Sequence, residues 1–290
     1  MAPVPTMESQ PGRETQGPEG PPAKVTSEHV RRNFNGISSV LYYTRAAHFL
    51  GLWKSERILV SRFLPDKKTP LLEAGCGAGR VSFALWKLGY RRLSAFDFAS
   101  ELLDQAQSLA ASQGAGSIAF RCADATTIER SQWGLGANEG FGGALFMFNG
   151  LMQIPGRRNR RSALLRIREL CSPGAPLIFT THDRDRSSED AGYWEAEARR
   201  WAEGRQDGRL REFGDRQFED ESGPVFIHIP DRAEILGDLA ATGWTHETDT
   251  MRSELARETD AVTEFSDNCR FWVARRDARD PIAIGVPGAA

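Results

Sequence analysis

Five short apolar runs alternate with helix-like segments in the middle of this 290-residue chain, and this alternation constrains the fold more than any other feature. The runs lack strict polar–apolar alternation, which is typical of strands covered on both faces of a parallel sheet. Three segments between them repeat apolar residues at helical steps. Strands joined by crossover helices predict a doubly wound, mostly parallel α/β sheet. The runs cover residues 70–74, 92–96, 117–121, 143–148 and 175–180, and the helical segments cover 80–88, 100–111 and 157–170.

The rest of the chain is predicted to extend this sheet and to add two segments that cover it. A helix at 231–241 and strands at 244–251 and 269–274 bring the expected sheet to seven strands. Helical periodicity over residues 25–65 predicts an N-terminal cover. The long stretch 183–229 breaks the strand–helix rhythm and contains several aromatic residues, so we interpret it as an inserted lid after strand 5. One domain therefore spans 25–276, between a Pro/Gly-rich tail at 1–24, expected to be disordered, and a flexible tail at 277–290.

Charge and hydropathy narrow the classes of protein. The formal net charge is −2, and positive and negative residues are mixed, which argues against a strongly basic nucleic-acid binder. No run reaches the roughly 18 apolar residues of a membrane span, and the N-terminus has no apolar export segment. The four cysteines form no CxxC pair, which indicates reduced thiols and no zinc site. We expect a cytoplasmic protein.

Three glycines stand where the first buried strand turns into a helix. Gly75, Gly77 and Gly79 permit positive φ angles and let a nucleotide approach the backbone. A dinucleotide fingerprint would need a third glycine where Arg80 stands, and no Walker lysine follows. Glu73 disfavours a pyrophosphate and suits a ligand with an ammonium group.

At these residues the chain resembles the class I S-adenosylmethionine-dependent methyltransferases, whose first motif is an acidic residue followed by GxGxG. The resemblance implies the Rossmann-like fold of that family, with S-adenosyl-L-methionine as cofactor. It places Asp97 on the ribose hydroxyls, Asp124 on the adenine amino group and Asn149 beside the methyl donor. Each of these residues has an alternative interpretation without a ligand. Asp97 also fits an acidic residue that stabilises the N-terminus of the next helix, and Asp124 and Asn149 also fit residues of turns. The cofactor-binding set implied by the resemblance is Glu73, Gly75, Cys76, Gly77, Gly79, Asp97, Phe98, Asp124, Ala125 and Asn149.

The acceptor side offers two candidate catalytic residues. His182 follows the fifth strand and is the best-placed general base, because imidazole titrates near neutral pH. Tyr43 lies in the N-terminal cover and is expected to hydrogen-bond the acceptor. The open alternative for His182 is a structural histidine at the end of the strand, and the open alternative for Tyr43 is core packing. Arg80 has two interpretations: it meets a carboxylate of the ligand, or it meets a partner on the solvent side.

These observations predict an enzyme that transfers a methyl group to an N, O or C nucleophile of a small molecule by in-line displacement. We expect a monomer or homodimer without membrane, nucleic-acid or metal partners. Two alternatives stay open. One is a methyltransferase acting on RNA or protein, supported by Arg157, Arg158, Arg160 and Arg161. The other is a non-catalytic protein that binds S-adenosylmethionine.

Overall fold

The computed structural model describes residues 23–136, 138–185 and 191–280. Most of the tail expected at 1–24, and residues 281–290 of the second tail, lie outside the described residues. At the two ends that are described, Lys24 donates to the Leu210 carbonyl oxygen and Asp280 forms an ion pair with Arg168.

The sheet has the predicted architecture. Within the described residues, seven strands lie in the order β3-β2-β1-β4-β5-β9-β8, all parallel except β9, which is antiparallel to both neighbours. Strands β6 and β7 form a separate antiparallel hairpin. The strands are β1 Leu71–Ala74, β2 Leu93–Asp97, β3 Ala119–Cys122, β4 Gly143–Phe146, β5 Pro176–Thr181, β6 Asp215–Asp220, β7 Gly223–His228, β8 Trp244–Met251 and β9 Arg270–Arg276.

The helices predicted at 80–88, 100–111, 157–170 and 231–241 are present within one residue of their expected bounds, whereas two short helices at 252–255 and 260–265 were not predicted. Capping accounts for two of the starts: Thr26 accepts from the His29 amide before α1, and Asp231 accepts from the Glu234 amide before α8. The helices are α1 Ser27–Phe34, α2 Ile37–Phe49, α3 Lys54–Phe63, α4 Arg80–Lys87, α5 Ser100–Ser112, α6 Arg157–Leu170, α7 Ala191–Ala202, α8 Arg232–Ala241, α9 Arg252–Leu255 and α10 Asp260–Phe265. No helix in the described ranges is long and apolar enough to cross a membrane.

Both faces of the central strands β1, β4 and β5 are buried, as the apolar runs predict, whereas the edge strand β3 is mostly exposed. Consecutive residues of one strand point to opposite faces, so Leu71 packs in one core cluster and Leu72 in the other. Helix α6 contributes Leu164 and Ile167 to the cluster on the Leu72 side. The doubly wound, mostly parallel fold is therefore confirmed.

The fourth strand is shorter than predicted. The apolar run continues to Phe148, but β4 ends at Phe146 because the backbone turns there. Phe148 and Asn149 have φ angles of 54° and 57°, in the left-handed region, where a strand cannot continue. This turn brings both residues over the carboxyl end of the sheet.

The insertion at 183–229 packs against the N-terminal helices. The Val25 amide donates to the Arg209 carbonyl oxygen (2.9 Å), and Ser39 Oγ donates to the Ser222 carbonyl oxygen (2.7 Å). Phe226 of β7 is buried in a small cluster with Val25 and other residues of the N-terminal segment. The insertion thus packs on the N-terminal helical segment.

Buried charges join the insertion to the sheet. His228 Nδ1 lies 2.9 Å from Asp215 Oδ1, and its Nε2 lies 2.9 Å from Glu234 Oε1 on α8. Burial lowers the pKa of His228, but these two carboxylates outweigh it, and the net shift is upward. Arg160 of α6 pairs with Glu212 (2.8 Å) and with Glu234 (3.1 Å). The positive and negative charges of this cluster are paired with one another, so we assign it as an ion-pair network.

Candidate functional site

The glycine turn after β1 has the backbone geometry that the sequence predicts. The φ angles of Gly75, Gly77 and Gly79 are 61°, 51° and 85°. A Cβ atom on Gly79 would lie 3.2 Å from the Cβ of Ala106, so this glycine allows α5 to pack closely. A Cβ on Gly77 would meet only Leu102 Cδ1, at 4.0 Å, which leaves its pocket side open to a ligand.

Asp97 supports that turn from the end of β2. Its Oδ2 accepts from the Gly77 amide (2.8 Å), and its Oδ1 accepts from the Ala99 amide (2.9 Å). The side chain is buried, which raises its pKa, although the backbone hydrogen bonds from Ala99 and Gly77 oppose the shift. A carboxylate has about four acceptor sites, so two remain for a ligand.

Asp124 stands at the equivalent place after β3. Its Oδ1 accepts from the Thr126 amide (2.8 Å) and from Thr126 Oγ1 (2.7 Å), and Oδ2 takes part in neither bond. Asp124 lines the pocket together with Phe98 and Ala125.

Glu73 is a buried carboxyl group at the end of β1. Burial raises its pKa to about 7, although a hydrogen bond from Ser82 Oγ and the charge of Arg80 oppose the shift. The group titrates in the physiological range. A cationic ligand at this carboxylate would lower the pKa again.

Arg80 meets a partner inside the protein, so the interpretation that placed its partner on the solvent side is wrong. Its guanidinium is buried and makes two bonds to Glu56 of α3, at 2.8 and 2.6 Å, and a third to the Gly51 carbonyl oxygen. It also lies over the ring of Trp53. Arg80 is therefore neutralised by the N-terminal cover and leaves little positive charge for a ligand.

These residues surround an open pocket of about 990 Å³. Its charged lining is Glu73, Asp97, Asp124 and the neutralised Arg80, so its field disfavours phosphate and favours hydroxyl, amino and ammonium groups. Gly79, Asn149 and His182 lie outside the lining. The predicted site residues that do line the pocket are Tyr43, Glu73, Gly75, Cys76, Gly77, Asp97, Phe98, Asp124 and Ala125.

Aromatic side chains form the wall opposite the glycine turn. Phe148 stacks on Phe265 of α10 with ring centroids 5.1 Å apart, and Tyr43 meets Phe148 edge-on at 5.9 Å. Burial raises the pKa of Tyr43 well above its usual value, so its hydroxyl is protonated near neutral pH. Sequence reasoning missed Phe265, because α10 carries no motif. Phe148 stood in the apolar run taken as strand, where nothing indicated its turn.

Asn149 and His182 contact each other just outside the pocket lining. Asn149 Nδ2 lies 3.0 Å from His182 Nε2, and the Asn149 amide donates to Thr180 Oγ1 (2.8 Å). Burial lowers the pKa of His182, which keeps the imidazole neutral near pH 7. The Asn149 Oδ1 atom is buried without a hydrogen-bond partner among the described residues.

Residues 71–174 match the family model described as a methyltransferase domain. The chain thus contains a methyltransferase domain, in agreement with the family that the glycine motif resembles. This match supports methyl transfer as the enzyme class and agrees with S-adenosyl-L-methionine as the expected cofactor. The matched range begins at β1 and ends before β5, so it contains the glycine turn and both strand-end carboxylates. No curated protein sequence matches the chain.

Solved structures of low sequence identity share the fold. A methyltransferase from Methanosarcina mazei is 16% identical, with a TM-score of 0.57, covering 76% of this chain and 97% of its own. The glycopeptide N-methyltransferase MtfA, complexed with S-adenosyl-L-homocysteine, is 14% identical (TM-score 0.55; 77% and 89% covered). The cyclase SpnF is 17% identical (TM-score 0.60; 88% and 98% covered). Since SpnF is named for a different reaction, the fold alone does not specify the acceptor or the chemistry.

The pocket fits the cofactor of this family. S-adenosylmethionine carries ribose hydroxyls, an adenine amino group and an ammonium group, and no phosphate. The pocket offers the buried carboxylates of Glu73 and Asp97 and an unobstructed backbone at Gly77, and its arginine is already paired.

Proposed function

We propose that this enzyme methylates an N, O or C nucleophile of a small molecule by in-line displacement. The observation that carries the proposal is that one pocket joins the strand-end carboxylates to an aromatic wall. The carboxylates suit a cofactor and the rings suit an apolar acceptor. The insertion at 183–229 is proposed to cover the acceptor side.

Each polar residue has a proposed task toward the cofactor. Asp97 would accept from the ribose hydroxyls, Asp124 from the adenine amino group and Glu73 from the ammonium group. The Gly75 to Gly79 turn would allow close backbone approach. When bound, the cofactor supplies a methyl group on a sulfonium, a leaving group that needs no further activation. The protein then contributes mainly positioning and exclusion of water.

The acceptor side has two proposed catalytic residues. Tyr43 is protonated near neutral pH and would orient the acceptor as a hydrogen-bond donor. Neutral His182 would take a proton from the acceptor, which requires Asn149 to release the Nε2 atom.

The cofactor affinity should depend on pH through Glu73. Because an ammonium group binds the ionised carboxylate, binding below pH 7 must displace a proton, and affinity should rise about tenfold per pH unit up to about pH 7 and then level off. Calorimetry with S-adenosyl-L-homocysteine from pH 5.5 to 7.5 measures this slope. Glu73→Gln should remove it. An equal slope in both proteins would show that Glu73 does not meet the ammonium group.

Methyl transfer itself is tested by incubating the protein with S-adenosylmethionine and matched amine, phenol and carboxylic acid acceptors. S-adenosyl-L-homocysteine should accumulate with at least one of them. His182→Gln should lower kcat and leave the cofactor dissociation constant unchanged, whereas the exposed control His48→Gln should change neither. Cofactor binding without product in any mixture would favour the non-catalytic alternative.

The packing weakens the case for an RNA substrate. Arg157 and Arg161 both pair with Asp238 at 2.7 Å, and Arg160 is fully buried in the ion-pair network. Of the arginines that supported this alternative, three are thus bound to carboxylates and are not free for phosphate. The cytoplasmic location and the monomeric or homodimeric state stay predictions.

A further inference from the structure

Five aromatic side chains form a continuous series along the pocket wall. Each ring contacts the next, with centroids 5.9, 5.5, 5.9 and 5.1 Å apart. All five line the pocket, and their order is Phe98, Phe34, Tyr43, Phe148 and Phe265. Phe98 directly follows Asp97, the proposed ribose ligand, so the series begins at the cofactor end. With the adenosine at Asp97 and Asp124, the Phe265 end of the wall remains for the acceptor.

The Phe265 end of the pocket is held by contacts from two other elements. Tyr42 of α2 stacks on Phe265 with ring centroids 4.6 Å apart, and its hydroxyl donates to the Phe265 carbonyl oxygen (2.9 Å). The carbonyl oxygen of the next residue, Ser266, accepts from Arg252 of α9 (2.7 Å). These contacts fix the end of α10 to α2 and α9, so the acceptor meets a preformed apolar surface.

Exposed carboxylates lie near the same end of the pocket. Asp220 and Glu221 of the hairpin and Asp267, two residues after Phe265, are exposed. Burial, followed by the charges of these three carboxylates, raises the pKa of Tyr42 to about 12, so all three act at the Phe265 end. We call these three carboxylates the acidic rim.

The described residues that line the pocket supply no free cation to balance this charge. Arg80 is the one positively charged residue among them, and it is paired with Glu56. After burial, the charges of Arg216 and Arg252 lower the pKa of His182, but neither arginine lines the pocket. The field at the acceptor end therefore favours a cation and disfavours an anion. The other charged lining residues are all acidic: Glu73, Asp97 and Asp124.

We propose that the methyl acceptor is an amine, whose ammonium form is drawn to the acidic rim and whose apolar body packs against Phe265. Phe265 is thereby a specificity-determining residue. Aliphatic amines are protonated near neutral pH, as the lysine side chain is. The inference rests on the proposed methyl transfer to a small molecule, and it narrows the acceptor atom to nitrogen.

The transfer to an amine balances in atoms and electrons. The bound ammonium group first loses one proton, for which His182 is the proposed acceptor. The nitrogen lone pair then forms a bond to the methyl carbon as the carbon–sulfur bond of the sulfonium breaks, and the electron pair of that bond stays on sulfur. The products are the N-methylated ammonium, S-adenosyl-L-homocysteine and one released proton.

Three probes of matched shape test the charge preference: 2-phenylethylamine, 2-phenylethanol and phenylacetate. Binding is measured by calorimetry at neutral pH and low salt, on the full chain saturated with S-adenosyl-L-homocysteine. The amine should bind about tenfold more tightly than the alcohol, and phenylacetate should bind more weakly than either. The proposal is overturned if the alcohol or phenylacetate binds as tightly as the amine, or if none of the three binds.

The double variant Glu221→Gln/Asp267→Asn tests the acidic rim, because both side chains are exposed and they lie on different elements. It should weaken amine binding about fivefold at low salt, and salt at about 0.5 M should largely remove this difference. Binding of 2-phenylethanol and of S-adenosyl-L-homocysteine should stay unchanged. The control is Asp104→Asn/Glu247→Gln, at exposed acids of α5 and β8 outside the pocket lining. Equal losses in the two double variants would reduce the effect to net charge and overturn the proposal.

Phe265→Leu tests the place of the apolar body, since it removes the ring and keeps an apolar side chain. It should weaken binding of both the amine and the alcohol about threefold, because less apolar surface is buried, and leave the affinity for S-adenosyl-L-homocysteine unchanged. The control is Phe49→Leu on α2, whose ring is 80% exposed and outside the pocket lining. Unchanged probe binding in Phe265→Leu overturns the assignment of Phe265. The rim variants alter only exposed side chains, so they keep the proposal testable if Phe265→Leu does not fold.

Turnover separates this inference from the proposed function. S-adenosyl-L-homocysteine should form with amine acceptors. Its formation with phenol or carboxylic acid acceptors but not with amines overturns the inference and leaves methyl transfer intact. Its absence with every acceptor contradicts the proposed function instead.

Discussion

Arg160→Met is expected to lower the free energy of unfolding by about 3 to 5 kcal/mol. Arg160 is fully buried, and its two terminal nitrogens pair with Glu212 of the insertion and Glu234 of α8. Removing one partner of a buried ion pair leaves the other charges buried without compensation, and this cost exceeds the value of the pair itself. The loss should appear as a lower midpoint in urea unfolding at pH 7.

A matched substitution on the same helix separates burial from charge. Arg158 is exposed on α6, so Arg158→Met should change the free energy of unfolding by no more than about 0.5 kcal/mol. If both variants lowered the free energy of unfolding by a similar, small amount, the structural role of the ion-pair network would be contradicted. Replacing the whole cluster with apolar residues is a different experiment, because it removes every charge together.

The network also bears on how the insertion works. His228 and Asp215 belong to the hairpin, Glu212 to the segment before it, and Arg160 and Glu234 to helices that flank the sheet. Burial raises the pKa of Glu234, but His228 and the nearby arginines outweigh it and lower the pKa to about 2. The hairpin is thus tied to the sheet by charges that persist near neutral pH. We infer that any movement of the insertion that opens the pocket occurs away from this hairpin.

The sheet and its strand-end acids could be predicted from the sequence because both depend on local patterns. Apolar runs mark the strands, and the Gly75 to Gly79 turn places the first acid beside a nucleotide pocket. Asp97 and Asp124 follow from the rule that parallel strands end at one edge of the sheet. These features need no knowledge of distant contacts.

The remaining features depend on residues far apart in the chain. Arg80 meets Glu56, 24 positions earlier, and no local pattern indicates that pair. Phe265 reaches the pocket from α10, more than 100 residues after Phe148. Gly79 fits the family motif, yet its Cβ position faces α5 and not the pocket. A linear pattern cannot distinguish a glycine needed for a ligand from one needed for helix packing.

Asp97→Ala is expected to weaken binding of S-adenosyl-L-homocysteine by about 3 kcal/mol, or more than a hundredfold. Hydrogen bonds to a buried carboxylate are each worth about 1.5 to 3 kcal/mol, and the ribose offers two hydroxyls. The exposed acid Asp104 on α5 is the control for lost negative charge, and Asp104→Ala should leave the affinity unchanged. Calorimetry at fixed pH and salt measures both.

The same substitution also removes the acceptor of the Gly77 amide, so weaker binding alone does not identify a ribose contact. A double-mutant cycle resolves this, using an analogue of S-adenosyl-L-homocysteine that lacks the ribose hydroxyls. If Asp97 binds the ribose, the wild type should discriminate strongly against the analogue and Asp97→Ala should bind the two ligands almost equally. If Asp97 only shapes the glycine turn, both proteins will discriminate to the same extent, and the ribose assignment must be abandoned.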